Sequence, residues 1–121
     1  MILNEEQILI RDTARAFARD LLTPNAAAWD REKKTPRAVF SEMGELGLLG
    51  MLAPEQWGGV DAGFVSFVLA MEEIAAGDGG VSTTMSVHNG VATMPIVQYG
   101  SDEQKKRFLP GLTSGEIIGA F

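Results

Sequence analysis

The chain has 121 residues, 45% of them hydrophobic and 21% charged, which is typical of one globular domain. Sixteen acidic residues outnumber ten basic ones, and the net charge of -6 disfavours nucleic acid as a partner. No cysteine and one histidine are present. This excludes disulfides, cysteine nucleophiles and multi-histidine zinc sites within the chain, so no metal site is expected.

The first residues, MILNEEQ, lack the positive region and the long apolar stretch of a secretory signal peptide. No apolar run approaches the roughly 20 residues that are needed to span a bilayer. We therefore expect no stable membrane insertion. The expected location is the cytoplasm of a bacterium or an organelle matrix.

The first third of the sequence predicts three helices. Asn4 and Gln7 have the spacing of a capping box at a helix start, and apolar residues then recur at helical spacing: Ile10, Ala14, Phe17 and Leu21. Thr23-Pro24 and Thr35-Pro36 predict two further helix starts, because proline fits the first turn of a helix but not its interior. The third helix has its own predicted apolar set: Val39, Phe40, Met43 and Leu46.

Glycines and a proline between residues 47 and 63 predict a stretch that is mostly loop. A helix that ends at Gly77 is predicted next from its apolar stripe: Phe64, Phe67, Val68, Met71, Ile74 and Ala75. Another helix is expected to begin near Val81 or Ser82 and to run toward Tyr99, with a bend or break at Pro95. Ser101 and Gln104 predict a second capping box, for a helix that ends near Leu109 or Leu112.

The last residues, 117–121, have the sequence IIGAF and are predicted to begin a buried strand after a turn at 113–115. One strand has no pairing partner among helices. We therefore expect an all-α, bundle-like domain over residues 1–115. Residues 116–121 are expected to be the truncated start of a following β domain.

The sequence contains no complete catalytic constellation. Ser86 and His88 lie on different faces of a helix, so we expect His88 to form hydrogen bonds in a packed site instead of activating a serine. Glu72 and Glu73 point about 100° apart, so they are expected to be surface or helix-end residues. The small residues from Thr83 to Val87 allow another backbone or an elongated ligand to approach closely, and both interpretations remain open.

Five segments, in order, resemble motifs of the acyl-CoA dehydrogenase family. Residues 53–59 resemble its P-E-x-[YW]-G-G loop, and residues 70–75 resemble its A-x-E-E-[IL]-A helix. Residues 86–89 resemble S-V-x-N, residues 95–105 resemble P-I-x-x-[FY]-G-[ST]-x-E-Q-K, and residues 114–121 resemble S-G-E-x-x-G-A-F. The matches cover almost the whole chain, and the S-V-x-N segment is most similar to short-chain or branched-chain members.

The resemblance implies the amino-terminal helical domain of an enzyme that uses FAD to convert an acyl-CoA to a trans-2-enoyl-CoA. It further implies electron-transferring flavoprotein as the electron acceptor and a homotetramer as the assembly. The usual catalytic glutamate lies in a carboxy-terminal bundle, so no catalytic residue is assigned here. An acyl-CoA oxidase-like member of the superfamily and a non-enzymatic helical interaction module are the alternatives.

The same resemblance assigns four candidate site residues. In relatives, a T-E-P segment that follows the G-A-F motif contacts the flavin, which makes Phe121 the candidate FAD contact. The family's acyl pocket is lined partly by the helix that corresponds to Thr83–Val91. Thr84, Val87 and Val91 fall on one face of that helix and are the candidate substrate contacts.

Overall fold

A computed structural model describes all residues from Met1 to Phe121. The chain forms seven α-helices: α1 (Glu5–Phe17), α2 (Thr23–Glu32), α3 (Arg37–Glu45), α4 (Gly63–Gly77), α5 (Gly79–Val87), α6 (Met94–Tyr99) and α7 (Asp102–Ser114). A first π segment, Ala18–Leu22, joins α1 to α2, and a second, His88–Thr93, joins α5 to α6. A short 3-10 turn, Glu55–Trp57, lies between α3 and α4. The predicted all-α fold is confirmed.

Both predicted capping boxes are present. At the start of α1, Asn4 Oδ1 accepts a 2.8 Å hydrogen bond from the Gln7 amide, and Gln7 Oε1 accepts a 3.0 Å bond from the Asn4 amide. Ser101 and Gln104 make the same two bonds at the start of α7, at 3.1 and 2.8 Å. Each box gives hydrogen-bond acceptors to amides that have no partner inside the helix.

The structure agrees with one of the remaining predicted helix starts and differs at two others. Helix α2 begins at Thr23, as predicted, with Pro24 in its first turn, but no side chain caps it, and the first π segment joins it to α1. At α3 the cap residue is Pro36, and no side chain caps the helix. Helix α5 begins at Gly79, earlier than predicted, because Asp78 Oδ1 accepts from the amides of Gly80 and Val81.

Helix α4 lies between α1 and α5 and is apolar on most of its surface. Its buried residues are Ser66, Ala70 and Ile74, so the predicted stripe is only partly right. Small side chains on this face let the neighbouring helices approach closely. Phe64 and Val68 point outward instead and are 70% and 51% exposed. Leu46 of the α3 set is also exposed, because that helix ends one residue before it.

The loop between α3 and α4 is fixed to α5 and the second π segment by the Asn89 side chain. Its Oδ1 accepts a 3.0 Å hydrogen bond from the Met51 amide. Its Nδ2 donates to the carbonyl oxygens of Leu48 and Met85, at 2.9 and 3.0 Å. Asn89 is 1% exposed, so water cannot replace these bonds if the amide is removed.

The predicted strand at the end of the chain is absent, because its backbone has no neighbouring strand to pair with. Residues 116–121, called the tail below, run without regular structure over the helices. The predicted turn at 113–115 is also wrong in part, since α7 continues to Ser114 and Gly115 then ends it with a φ of 79°.

Hydrogen bonds and apolar packing anchor the beginning of the tail. Arg37 donates to the carbonyl oxygens of Gly115 and Glu116, and the Ile117 amide donates to the Gly111 carbonyl at 3.0 Å. The side chain of Ile118 packs against the core, so the tail is partly buried without any sheet.

We predict that Asn89→Ala lowers the free energy of unfolding by about 2–5 kcal/mol, because it leaves buried loop groups without partners. Asn25→Ala is the matched control. Its amide makes one partly buried bond to the Leu21 carbonyl, and the expected change is within about 1 kcal/mol. Urea denaturation of both variants measures the difference. Equal losses would show that the Asn89 bonds do not hold the loop.

Candidate functional site

The second π segment sets which side chains of its helical rod face inward. In this rod, which comprises α5, the π segment and α6, Met85, His88 and Asn89 are buried at helical spacing. The π segment inserts one extra residue, so Thr93 is buried where an unbroken helix would place Ala92. Thr93 Oγ1 donates a 2.6 Å hydrogen bond to the His88 carbonyl and thereby satisfies the widened turn.

The three candidate substrate contacts lie on the outward side of this rod. Thr84 and Val87 are half-buried, and Val91 is 46% exposed. None belongs to the buried core of the domain. The Thr84 hydroxyl donates to the carbonyl oxygen of Gly80 at 3.1 Å and is therefore held against its own helix. The outward surface of the rod thus consists of small apolar and weakly polar groups.

The tail crosses the same rod. Gly119 lies so close to the π segment that a Cβ atom there would be 2.4 Å from the Ala92 Cβ atom, so only glycine allows this path. Two residues later, Phe121 is fully exposed. The candidate flavin contact is therefore at the end of a segment that touches the rod of the candidate substrate contacts.

His88 is the histidine that sequence reasoning placed in a packed, hydrogen-bonded site, and the structure confirms this. It is completely buried. Its Nε2 atom is 2.8 Å from the Leu112 carbonyl oxygen, and its Nδ1 atom is 3.0 Å from the Gly119 amide nitrogen. Because an amide N–H can only donate, Nδ1 accepts and Nε2 carries the proton. Burial lowers the pKa of the imidazole below its ordinary value of 6.5 and keeps it neutral.

The loop of residues 53–59, which resembles P-E-x-[YW]-G-G, has a structural role. A Cβ atom on Gly59 would lie 2.0 Å from the Ala53 carbonyl oxygen, so the turn closes only around glycine. Thr113 Oγ1 donates a 2.8 Å hydrogen bond to the Trp57 carbonyl and ties the loop to α7. Neither this tie nor the Asn89 bonds were predicted from the sequence, because each joins residues far apart in the chain.

The two adjacent glutamates have separate roles. Glu73 Oε1 accepts a 2.7 Å hydrogen bond from Arg15 across the α1–α4 contact. This bond lowers the pKa of the Glu73 carboxyl and keeps it ionised. Glu72 is exposed. The predicted surface position is right for Glu72, whereas Glu73 forms an ion pair between two helices.

The largest surface crevice, about 690 Å³, lies between the end of α2 and the α4–α5 junction. Trp29, Lys33, Lys34 and Asp78 are among its lining residues, and Asp78 is already occupied by capping α5. None of the candidate site residues lines it. None of the helices has both the length and the apolar character that crossing a bilayer requires.

Comparison with known proteins shows the family of the chain. The family model described as "Acyl-CoA dehydrogenase, N-terminal domain" matches residues 4–116. The chain belongs to the acyl-CoA dehydrogenase family. The acyl-CoA dehydrogenase of Bacillus subtilis (strain 168) is 39% identical over 100% of this chain and 32% of its own length. The mitochondrial isovaleryl-CoA dehydrogenase of Bos taurus is 42% identical over 98% of this chain and 28% of its own length.

Solved structures that are similar to this chain share its fold. A glutaryl-CoA dehydrogenase from Mycobacterium smegmatis in complex with FADH2 gives a TM-score of 0.88 at 37% identity, covering 96% of this chain and 30% of that one. A chain from the structure of the electron transferring flavoprotein of Acidaminococcus fermentans gives a TM-score of 0.93 at 32% identity, covering 98% of this chain and 31% of that one. This acyl-CoA dehydrogenase domain therefore spans about three tenths of the relatives it matches.

We predict that acidification destabilises the domain through His88. Its folded pKa is below the unfolded value of 6.5, so its contribution is complete above that value and is lost as pH falls below it. The wild type should lose up to about 1.4 kcal/mol more per pH unit than His88→Asn in this range. Urea unfolding at about pH 7.5 and about pH 5.5 measures this. Parallel losses in both proteins would contradict the prediction.

Proposed function

We propose that this chain forms one wall of the acyl pocket of an FAD-dependent acyl-CoA dehydrogenase, which converts an acyl-CoA thioester to its trans-2-enoyl product. The observation that carries the proposal is the outward face of the α5–α6 rod. Thr84, Val87 and Val91 share this face and lie outside the domain's own core, whereas the adjacent His88 and Asn89 are fully engaged inward.

The chemistry of this face suits an acyl chain. Valine side chains present only apolar atoms, and the Thr84 hydroxyl is already bonded to its own helix. Each methylene that such a surface removes from water contributes about 0.8 kcal/mol to binding. The rod is held on its inner side by the bonds of His88 and Asn89, so the wall keeps its shape when the pocket is filled.

FAD is the proposed cofactor, and Phe121 is its proposed contact in this chain. The Phe121 ring is fully exposed, and the tail that carries it is hydrogen-bonded to the rod through Gly119. An aromatic ring held in this way fits a flat aromatic ligand such as a flavin. FAD supplies the hydride acceptor when it is bound. We assign no catalytic base to these 121 residues, because the usual glutamate of the family lies in a carboxy-terminal bundle. Glu73, in addition, is paired with Arg15.

We propose electron-transferring flavoprotein as the electron acceptor and a homotetramer as the assembly. Membership of the family supports both. A short or branched acyl chain is the proposed substrate, because short-chain and isovaleryl-CoA dehydrogenases are among the similar relatives. A bacterial cytoplasm or an organelle matrix is the proposed location.

The pocket assignment predicts a change of specificity in the full-length protein. Val87→Phe and Val91→Phe add volume to the proposed wall and should shorten the preferred acyl chain. Discrimination should change by roughly 1–3 kcal/mol for each methylene that no longer fits. The measurement is kcat/KM over a series of acyl-CoA lengths.

Val68→Phe is the matched control for these variants, because it makes the same substitution on the exposed face of α4. It should leave the chain-length profile unchanged. If the two valines instead packed against another domain of the protein, their substitution would cost stability, about 1–3 kcal/mol, without changing the profile. That result in folded variants would contradict the pocket assignment.

We predict that the 121-residue chain alone turns over no acyl-CoA and retains no stoichiometric flavin. The physical reason is that a cofactor enzyme must hold cofactor, base and substrate together, and this chain offers one wall and one flavin contact. Absorbance of the purified chain and an electron-acceptor assay measure this, with the full-length protein as the positive control. Yellow protein at one flavin per chain would contradict it.

A further inference from the structure

The buried imidazole of His88 joins three parts of the molecule. It belongs to the second π segment, its Nε2 donates to Leu112 in α7, and its Nδ1 accepts from Gly119 in the tail. The residue before it, Val87, faces outward in the proposed acyl-pocket wall. The tail that it holds carries Phe121. The imidazole therefore lies between the two surfaces that the proposed function assigns to substrate and cofactor.

We infer that His88 is a positioning residue whose neutral imidazole fixes the tail, and with it Phe121, relative to the rod that carries Val87 and Val91. This inference rests on the proposed function. It adds a specific mechanical link between the acyl pocket and the flavin contact, made by one side chain that touches neither ligand.

The bond between the Gly119 amide and His88 Nδ1 holds the part of the tail that lies next to Phe121. Arg37 and the Ile117 amide hold only the beginning of the tail. The amide of Gly119 makes the last hydrogen bond before the chain reaches Phe121, and its acceptor is His88 Nδ1. Contact between Gly119 and Ala92 brings the tail to the rod, and the imidazole then fixes its position along the rod.

The link depends on the protonation state of the imidazole. When Nδ1 gains a proton, it becomes a donor that faces the Gly119 N–H, and the bond is lost. Arg37, on α3, is the charged group that acts on the imidazole, and it disfavours the protonated form. Two backbone groups also act on the imidazole, one from Leu112 in α7 and one from Leu49 in the α3–α4 loop.

Two substitutions separate the two imidazole nitrogens. His88→Asn keeps an acceptor near the position of Nδ1, and His88→Gln keeps a donor near the position of Nε2. His88→Leu removes both. We expect the Gly119 amide of the 121-residue chain to exchange with solvent roughly three to ten times faster in the Gln and Leu variants than in the wild type and the Asn variant.

The wild type provides a second measurement that needs no variant. His88 is the only histidine, so its nitrogen signals are unambiguous in the NMR spectrum. They should show the Nε2–H tautomer at neutral pH, and Gly119 exchange, corrected for its intrinsic pH dependence, should accelerate as the imidazole protonates. Equal Gly119 exchange in the Asn and Gln variants, or exchange that ignores the imidazole titration, would overturn the inference.

FAD binding to the full-length apoprotein connects the tail to the cofactor. The dissociation constant should rise about tenfold in His88→Gln and less than about threefold in His88→Asn. Wild-type affinity in both variants, with Gly119 released, would overturn the positioning role and leave the proposed function intact. A wild-type protein that binds no FAD would overturn the proposed function itself, and this inference with it.

Discussion

Two adjacent buried side chains, His88 and Asn89, hold the helical rod in its place in the domain. Asn89 binds the loop that follows α3, and His88 binds α7 and the tail. Both are polar groups in a dry environment, where a bond that is made contributes modestly and a bond that is missing costs about 1–3 kcal/mol. This asymmetry selects one arrangement of loop, helix and tail around the rod, and the outward face of the rod then has a fixed orientation.

The second π segment connects this arrangement to the proposed function. One inserted residue lets the inward face change register at Thr93 while Val91 remains on the outside. The polar residues that fix the rod and the apolar residues proposed to meet the substrate therefore alternate along the same few turns. A change that loosens the inner side would alter the proposed pocket wall without touching the substrate.

Sequence reasoning correctly predicted the features that neighbouring residues determine. The capping boxes at Asn4 and Ser101 and the family motifs are written in neighbouring residues, and these predictions are confirmed. It failed where tertiary packing decides. Phe64 and Val68 belong to the predicted apolar stripe of α4, yet both are exposed, and neither π segment was predicted. The assignment of residues 116–121 to a following β domain stays a prediction.

The candidate site shows the same division. Spacing alone placed Thr84, Val87 and Val91 on one face, and the structure places that face outward. The bonds of His88 to Leu112 and Gly119 span 24 and 31 residues, and no local pattern encodes them. The glycine that allows the second contact was part of a recognised motif, but its neighbour Ala92 is visible only in the folded chain.

The most direct test of this account is a crystal structure of the full-length protein with a non-reactive acyl-CoA analogue. The account predicts acyl carbons within about 4 Å of Val87 and Val91, with His88 still bonded to Gly119 and Asn89 still bonded to Met51. An acyl chain bound elsewhere, with these two valines packed against another domain of the protein, would contradict it.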